Sequence, residues 1–183
     1  MLFHGISVPV GRGKTFGRNW NRLLDTVLGS WRVSGIATFQ SGYPLILTVS
    51  GAPPFAGNRP GRVPGQSATT SGDVHNRLGS PSSAVGYLNP SAFRVPFSFE
   101  FGDVPRTMPD ARRHGTTNLD VTLSKAVTVT EQLSLQVRAE AYNLLNRVQF
   151  GAPGMTVNSP AFGIISSQAN TPRLVQLGLK LVW

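Results

Sequence analysis

The sequence predicts an all-β fold: a segment of an antiparallel transmembrane β-barrel, with about five long strands and a long irregular loop. Three observations predict this class. Apolar and polar residues alternate with period two in every ordered stretch. The alternating runs reach about 9–11 residues or more, the length that a tilted strand needs to cross a bilayer. Charged residues stand in the middle of the polar faces, where a water-filled barrel interior would accommodate them.

Five strands are expected in chain order, near residues 2–9, 31–49, 117–129, 132–150 and 172–183. In the second run the apolar residues stay at odd-numbered positions on both sides of residues 42–44, which predicts one long strand with a kink there. A tight hairpin at these residues is the alternative. The third run has one exception, because Lys125 interrupts its apolar row. Residues 130–132 form a short turn, so the third and fourth strands read as a hairpin.

The connecting segments lack this order. Residues 50–116 are rich in glycine, proline and serine, and we expect them to form one long loop. A loop of this length is uncommon in a compact domain and points to a functional loop. Residues 151–171 form a shorter connector. Residues 21–28 have the apolar spacing of a brief amphipathic helix.

Composition excludes several classes of function. The 183 residues contain no cysteine, which excludes disulfides, thiolate metal sites and cysteine nucleophiles. Charged residues are 14% of the chain, well below the share in an ordinary soluble domain. The net charge of +9 raises the question of nucleic acid, but the positive residues are scattered and no recognition helix or aromatic RNA-binding signature is visible. We expect no nucleic-acid partner.

Candidate catalytic and metal-binding motifs are weak. Residues 13–15 resemble the end of a phosphate-binding loop, but the glycine required five residues before Gly13 is Val8. The carboxylates of Asp120 and Glu140 share the polar face with nearby basic residues, so ion pairing is the expected role. The histidines have no metal-ligand spacing; they are His4, His75 and His114. We expect no enzyme, no catalytic residue, no cofactor and no metal.

Two groups of residues point to a membrane surface. Arg106, Arg112 and Arg113 cluster just before the third strand, where they could contact the phosphates of lipopolysaccharide. Aromatic residues near strand ends or kinks suggest an interfacial girdle, with ordinary core packing as the alternative. These aromatics are Trp31, Phe39, Tyr43, Phe150 and Trp183.

Strand directions agree with a barrel. If Trp183 lies on the periplasmic side, the short turn at 130–132 is periplasmic and the loop at 50–116 is extracellular, as barrels prefer. Five strands cannot close a barrel, and open edges in lipid leave backbone groups unpaired. No export signal is visible either. We therefore expect the chain to be part of a larger barrel or to oligomerise.

The sequence resembles the C-terminal end of a TonB-dependent outer-membrane receptor of the Oar-like type, which carries a carboxypeptidase-regulatory-like domain and a plug before its barrel. The matching stretches occur in the same order as in that family and cover most of the chain outside the long loop. The matching stretches are 8–14, 28–36, 40–45, 118–125, 138–146, 150–153 and 172–183. Two departures are Trp183, where the family usually ends in Phe, and the non-aromatic Ala141 and Leu145.

This resemblance implies that residues 1–183 are roughly the last quarter of a 22-stranded barrel, without the signal, the regulatory-like domain and the plug. It implies a structural role in ligand uptake across the outer membrane of a Gram-negative bacterium. The implied partners are outer-membrane lipid and lipopolysaccharide, the rest of the barrel and plug, and the barrel-assembly machinery. The TonB complex is implied only through the N-terminal parts.

The resemblance also implies that the alternating C-terminal row is a signature for barrel assembly. That row consists of Val175, Leu177, Leu179, Leu181 and Trp183. Two other functions stay open on the residues alone. One is a soluble β-rich binding module such as a lectin-like sandwich, and the other is a porin-like channel formed by oligomers of the chain.

Overall fold

A computed structural model describes residues 2–71 and 86–183, with side chains from Ile6 onward within those ranges. The strands are β1 (Leu2–Ser7), β2 (Arg32–Gln40), β3 (Thr48–Val49), β4 (Gly61–Arg62), β5 (Phe93–Arg94), β6 (Thr116–Thr128), β7 (Ser134–Tyr142), β8 (Thr156–Val157) and β9 (Leu174–Val182). One helix, α1 (Arg22–Leu28), precedes β2, and a 3-10 turn spans Pro90–Ala92. No helix in the described ranges is long and apolar enough to span a bilayer.

The long strands form one five-stranded sheet in the order β1-β2-β6-β7-β9. The pairs β1–β2, β6–β7 and β7–β9 are antiparallel. The predicted antiparallel sheet is therefore confirmed. Among the described residues the sheet is not closed, and β1 and β9 form its two edges.

The chain divides into two compact units. The first contains the five-stranded sheet and comprises Met1–Phe39, Thr117–Arg147 and Thr171–Trp183. The second comprises Gln40–Thr116 and Val148–Asn170. The second unit is thus built from the β2–β6 and β7–β9 connections.

Local sequence explains the ends of the sheet strands. The β6–β7 turn closes where the Val129 amide donates to the Leu133 carbonyl at 2.8 Å, as expected for the short turn at 130–132. β7 ends because Asn143 and Asn146 adopt left-handed backbone angles, φ 50° and 49°. The buried Asn143 side chain then donates to the carbonyls of Arg147 and Thr171 at 3.1 and 3.2 Å.

Two predicted strands are shorter than expected. The strand expected over 31–49 leaves the sheet after Gln40. Just beyond this end, the backbone of Gly42 lies so close to Arg113 that a Cβ would overlap the Arg113 carbonyl oxygen. Leu45 and Leu47 keep the same parity but lie in the core of the second unit. The strand expected over 132–150 ends at Tyr142.

The second unit has a hydrophobic core although little of it is regular structure. Its core joins both segments of the unit, because β3 pairs in parallel with β8 and the Phe93 and Phe162 rings meet edge to face at 5.7 Å. The long loop expected over 50–116 is therefore irregular but packed; its part at 72–85 lies outside the described residues. Core side chains include Leu45, Leu47, Val49, Leu88, Phe93, Val104, Met108, Val157 and Phe162.

Replacing Leu47 with Ala should weaken this core. The side chain is fully buried, so we expect the substitution to lower the free energy of unfolding of the second unit by about 2–5 kcal/mol. Amide hydrogen exchange at Leu45 and Val49, in the detergent-solubilised chain, measures this. The control is Ile46→Ala, because Ile46 is half exposed, and it should cost well under about 1 kcal/mol. Equal effects of the two substitutions would contradict the core assignment.

Candidate membrane-facing sheet and exposed aromatic loops

One face of the sheet is apolar, and its row on β9 is exposed among the described residues. On β9 this face carries Val175, Leu177, Leu179 and Leu181, which are opposite Ala141, Ala139, Val137 and Leu135 of β7. The β9 side chains are 55–78% exposed. Among the described side chains of the first unit, Ala37 is the only buried apolar one. Such a single-layer sheet has no hydrophobic core of its own.

The opposite face is polar and internally hydrogen-bonded. The Arg138 guanidinium lies 3.4 Å from the Glu140 carboxylate, and the Tyr142 hydroxyl donates to the same carboxylate at 3.2 Å. The Asp120 carboxylate accepts from the backbone amide of Asn143 at 2.8 Å and from the Asn118 side chain at 2.9 Å. Both carboxylates flagged by the sequence therefore have structural hydrogen-bond partners.

Lys125 is the exception on the apolar face, and α1 explains it. In the sheet register Lys125 is opposite Val137, which is opposite Leu179. Its side chain is only 5% exposed. The ammonium group donates to the Gly29 carbonyl and, at 3.1 Å, to the Asp25 carbonyl, both at the C-terminal end of α1. It also lies 5.7 Å from the centre of the Trp31 ring, within cation–π range.

The second unit exposes four phenylalanines on two loops, which we call the phenylalanine patch: Phe55, Phe97, Phe99 and Phe101. Each is 73–78% exposed. The rings of Phe55 and Phe99 stack with centroids 5.1 Å apart, and the Phe99 amide donates to the Pro54 carbonyl at 3.3 Å. Phe55 and Phe99 both have left-handed backbone angles, φ 61° and 65°. For bulky residues this conformation carries strain of roughly 1–3 kcal/mol.

An ion pair braces the second of these loops. The Arg94 guanidinium forms a two-pronged contact with the Glu100 carboxylate, one prong at 2.8 Å, and also lies 5.3 Å from the Phe97 ring centre. The Phe97 amide donates to Glu100 at 2.9 Å. The Arg94 hydrogen bond, and then the Phe97 amide, lower the pKa of Glu100 to about 2. The same carboxylate raises the pKa of Arg94.

The three arginines expected at lipopolysaccharide lie in the second unit and have different surroundings. Arg106 is exposed and lines an open groove of about 430 Å³ together with Arg59 and Ile46. Arg112 donates from Nε to the Gly42 carbonyl at 2.8 Å. The Arg113 amide donates to the Tyr43 carbonyl at 3.0 Å. Contact of the three with lipopolysaccharide stays a prediction.

Of the aromatics expected in a girdle, Phe150 is instead buried in the second unit, where its ring lies 5.0 Å from that of His114. Phe39 and Trp183 are exposed, and Trp31 is half buried beside Lys125. His114 also contacts the Tyr87 ring at 4.9 Å. Of the other histidines, His75 and the side chain of His4 lie outside the described residues.

Residues 5–176 match the family described as "Outer membrane beta barrel domain". This match spans most of the chain. The chain belongs to that family. Searches of curated proteins and of solved structures gave no significant match.

Family membership indicates whether the apolar face contacts lipid or water. Outer-membrane barrels carry an apolar outer band against lipid and a polar interior. The row on β9 and β7 is therefore the lipid-facing side of a barrel domain of a Gram-negative outer membrane. A soluble sandwich would bury this row under a second layer, whereas its β9 side chains are 55–78% exposed.

Sequence reasoning missed the phenylalanine patch and its ion pair. A signal was present, because phenylalanines alternate at 97, 99 and 101 within a segment otherwise rich in glycine, proline and serine. The stacking partner Phe55 lies more than 40 residues earlier, and only the fold brings the two loops together.

The pKa of Glu100 predicts a pH-dependent loop. The folded pKa of about 2 is below the ordinary value of 4.5, so the pair stabilises the loop above pH 4.5. This stabilisation should disappear as the pH falls from 4.5 towards 2. The protection factor of the Phe97 amide in hydrogen exchange measures it. In Glu100→Gln the protection should be low and flat across this range, and a profile identical to that of the unaltered chain would contradict the assignment.

Proposed function

We propose that the barrel domain is the C-terminal part of a TonB-dependent receptor of the Oar-like type, which takes up a ligand across the outer membrane. The chain acts in this proposal as barrel wall and as ligand-contacting surface, and not as an enzyme. The resemblance of segments such as 118–125, 138–146 and 172–183 supports it, together with membership in the outer-membrane barrel family.

The observation that carries the ligand-binding part is the phenylalanine patch. The second unit consists of the connections that follow β2 and β7, at the strand ends opposite the short β6–β7 turn. Barrels keep short turns on the periplasmic side and long loops outside, so we assign the second unit to the cell exterior. Strained, exposed aromatic residues on a packed scaffold are typical of functional loops and not of structural ones.

The partners in this proposal follow from the exposed surfaces. β1 and β9 carry unpaired edges among the described residues, and in lipid these require further strands. The remaining receptor barrel would supply them, and the row on β9 would be presented to the assembly machinery. Arg106, with Arg112 and Arg113, would lie near lipopolysaccharide. Energy from TonB would reach the barrel through the plug.

Solute depletion tests the proposal for a ligand of any chemical class. Mass spectrometry of defined medium compares unaltered cells with cells lacking the gene and with cells lacking TonB. Unaltered cells should deplete at least one solute from the medium, and neither the cells lacking the gene nor the cells lacking TonB should deplete it. Depletion that requires the gene but not TonB would contradict the proposal and favour the porin-like alternative, in which the protein conducts ions in planar bilayers.

Two substitutions test the phenylalanine patch in the same assay. The double substitution Phe55→Ser and Phe99→Ser should weaken uptake at low solute concentration about tenfold, since loss of the aromatic contacts costs roughly 1.4 kcal/mol. The control is Ile46→Ser, another exposed apolar residue of the second unit. Uptake unchanged by the double substitution would remove the patch from the ligand site.

A further inference from the structure

Helix α1 is amphipathic, and its apolar side is exposed, which is the reverse of the arrangement in a water-soluble protein. Four of its seven residues are apolar and lie on one side, and none of its residues is buried. The apolar side chains are 46–78% exposed: Leu23, Leu24, Val27 and Leu28. A surface helix of a soluble domain turns such a stripe towards the core.

The polar side of α1 faces its own connector. The Asp25 carboxylate accepts from the Arg12 amide at 2.6 Å. Asn21 caps the start of the helix by accepting from the Leu24 amide at 2.8 Å, and the Gly29 amide closes its end on the Asp25 carbonyl at 2.9 Å. These contacts hold the helix with its apolar stripe outward.

The end of α1 is attached to the apolar face of the sheet. Lys125 projects from that face, in the same row as the lipid-facing residues Val137 and Leu179, and donates to the Gly29 and Asp25 carbonyls. A cation at the C-terminal end of a helix complements its unpaired carbonyls and its dipole. The end of α1 thus lies against a surface already assigned to lipid.

The connector around α1 has the composition of a membrane interface. Between residues 8 and 31 it contains the exposed basic residues Arg12, Lys14, Arg18 and Arg22 against one acidic residue, Asp25. It also contains Phe16, which is exposed, and the tryptophans Trp20 and Trp31. Basic side chains, tryptophan and an outward apolar stripe are the features of helices that lie in the headgroup region.

We propose that α1 and its connector form an interfacial anchor that binds the anionic phospholipid surface of the leaflet facing the periplasm. The connector joins β1 to β2, and Lys125 lies four residues from the β6–β7 turn, at the periplasmic end of the sheet. The apolar stripe enters the boundary between headgroups and acyl chains, and the basic residues contact lipid phosphates. This inference depends on the outer-membrane placement of the sheet, and not on TonB-dependent uptake.

Single-cysteine labelling tests the anchor, because the chain has no cysteine of its own. Val27→Cys on the stripe and Thr26→Cys on the opposite side are compared, each labelled with an environment-sensitive fluorophore. The full chain is inserted into phosphatidylcholine vesicles containing phosphatidylglycerol and a lipid with a nitroxide near the headgroup. Leu177→Cys in the middle of β9 reports contact of the sheet with lipid, measured with a lipid that carries its nitroxide on the acyl chain.

The quencher should remove about twice as large a fraction of the fluorescence at residue 27 as at residue 26. Omitting phosphatidylglycerol should reduce quenching at residue 27. Equal quenching at residues 26 and 27 would overturn the anchor. A probe at residue 27 that reports an apolar environment but is not quenched by the lipid would also overturn it, because protein and not lipid would then cover the helix. An unquenched probe at 177 would overturn the membrane placement of the sheet, and so separates the two failures.

Discussion

The structure depends on one constraint: the apolar row on β9, at the edge of the five-stranded sheet, is left exposed by the described residues. In water, such a face would expose a continuous row of leucine and valine side chains, of which Leu177 and Leu179 are more than three-quarters exposed. In a bilayer the same row contacts the hydrocarbon chains of the lipid. The backbone groups of the inner strands are hydrogen-bonded to the neighbouring strands of the sheet. In the outer-membrane barrel family to which the chain belongs, lipid supplies this hydrophobic contact, whereas the second unit has a core of its own.

Lys125 shows how strict this constraint is. A charge on the lipid-facing side of a barrel is destabilising unless it is covered or lies near the interface. Here the helix end covers the ammonium group with two carbonyls, and Trp31 adds its ring. The unusual residue and the unusual helix thus explain each other: the lysine holds α1 on the sheet, and α1 removes the lysine from lipid.

The sheet could be predicted from sequence because alternation over nine or more residues leaves few other structures. The same alternation wrongly predicted that the second strand continues through residues 45–49. Leu45 and Leu47 alternate with the exposed Ile46 because this extended segment packs on the core of the second unit. Period two reports that one side of a strand is apolar, but not what lies against it. The short helix at 21–28 was predictable and is confirmed as Arg22–Leu28.

Contacts between distant residues could not be predicted. The pairing of Thr48 with Thr156, which ties the two segments of the second unit, spans more than 100 residues. Just beyond the end of β2, Gly42 makes a close backbone approach, and just beyond the end of β7, Asn143 has a left-handed angle. The sequence does not specify either feature by itself. Phe150 was expected at the membrane interface because it lies near a predicted strand end, but its neighbours in the fold make it a core residue.

A spin-label scan along β7 tests most directly whether one side of the sheet contacts lipid and the other side contacts water. Single labels at successive positions from Ser134 to Tyr142, in the membrane-inserted chain, are exposed to oxygen, which partitions into lipid, and to a water-soluble nickel chelate. Oxygen should dominate at Leu135, Val137 and Ala139, and nickel at Gln136 and Arg138, with period two. Nickel accessibility on both sides, or no alternation, would contradict a membrane-facing sheet.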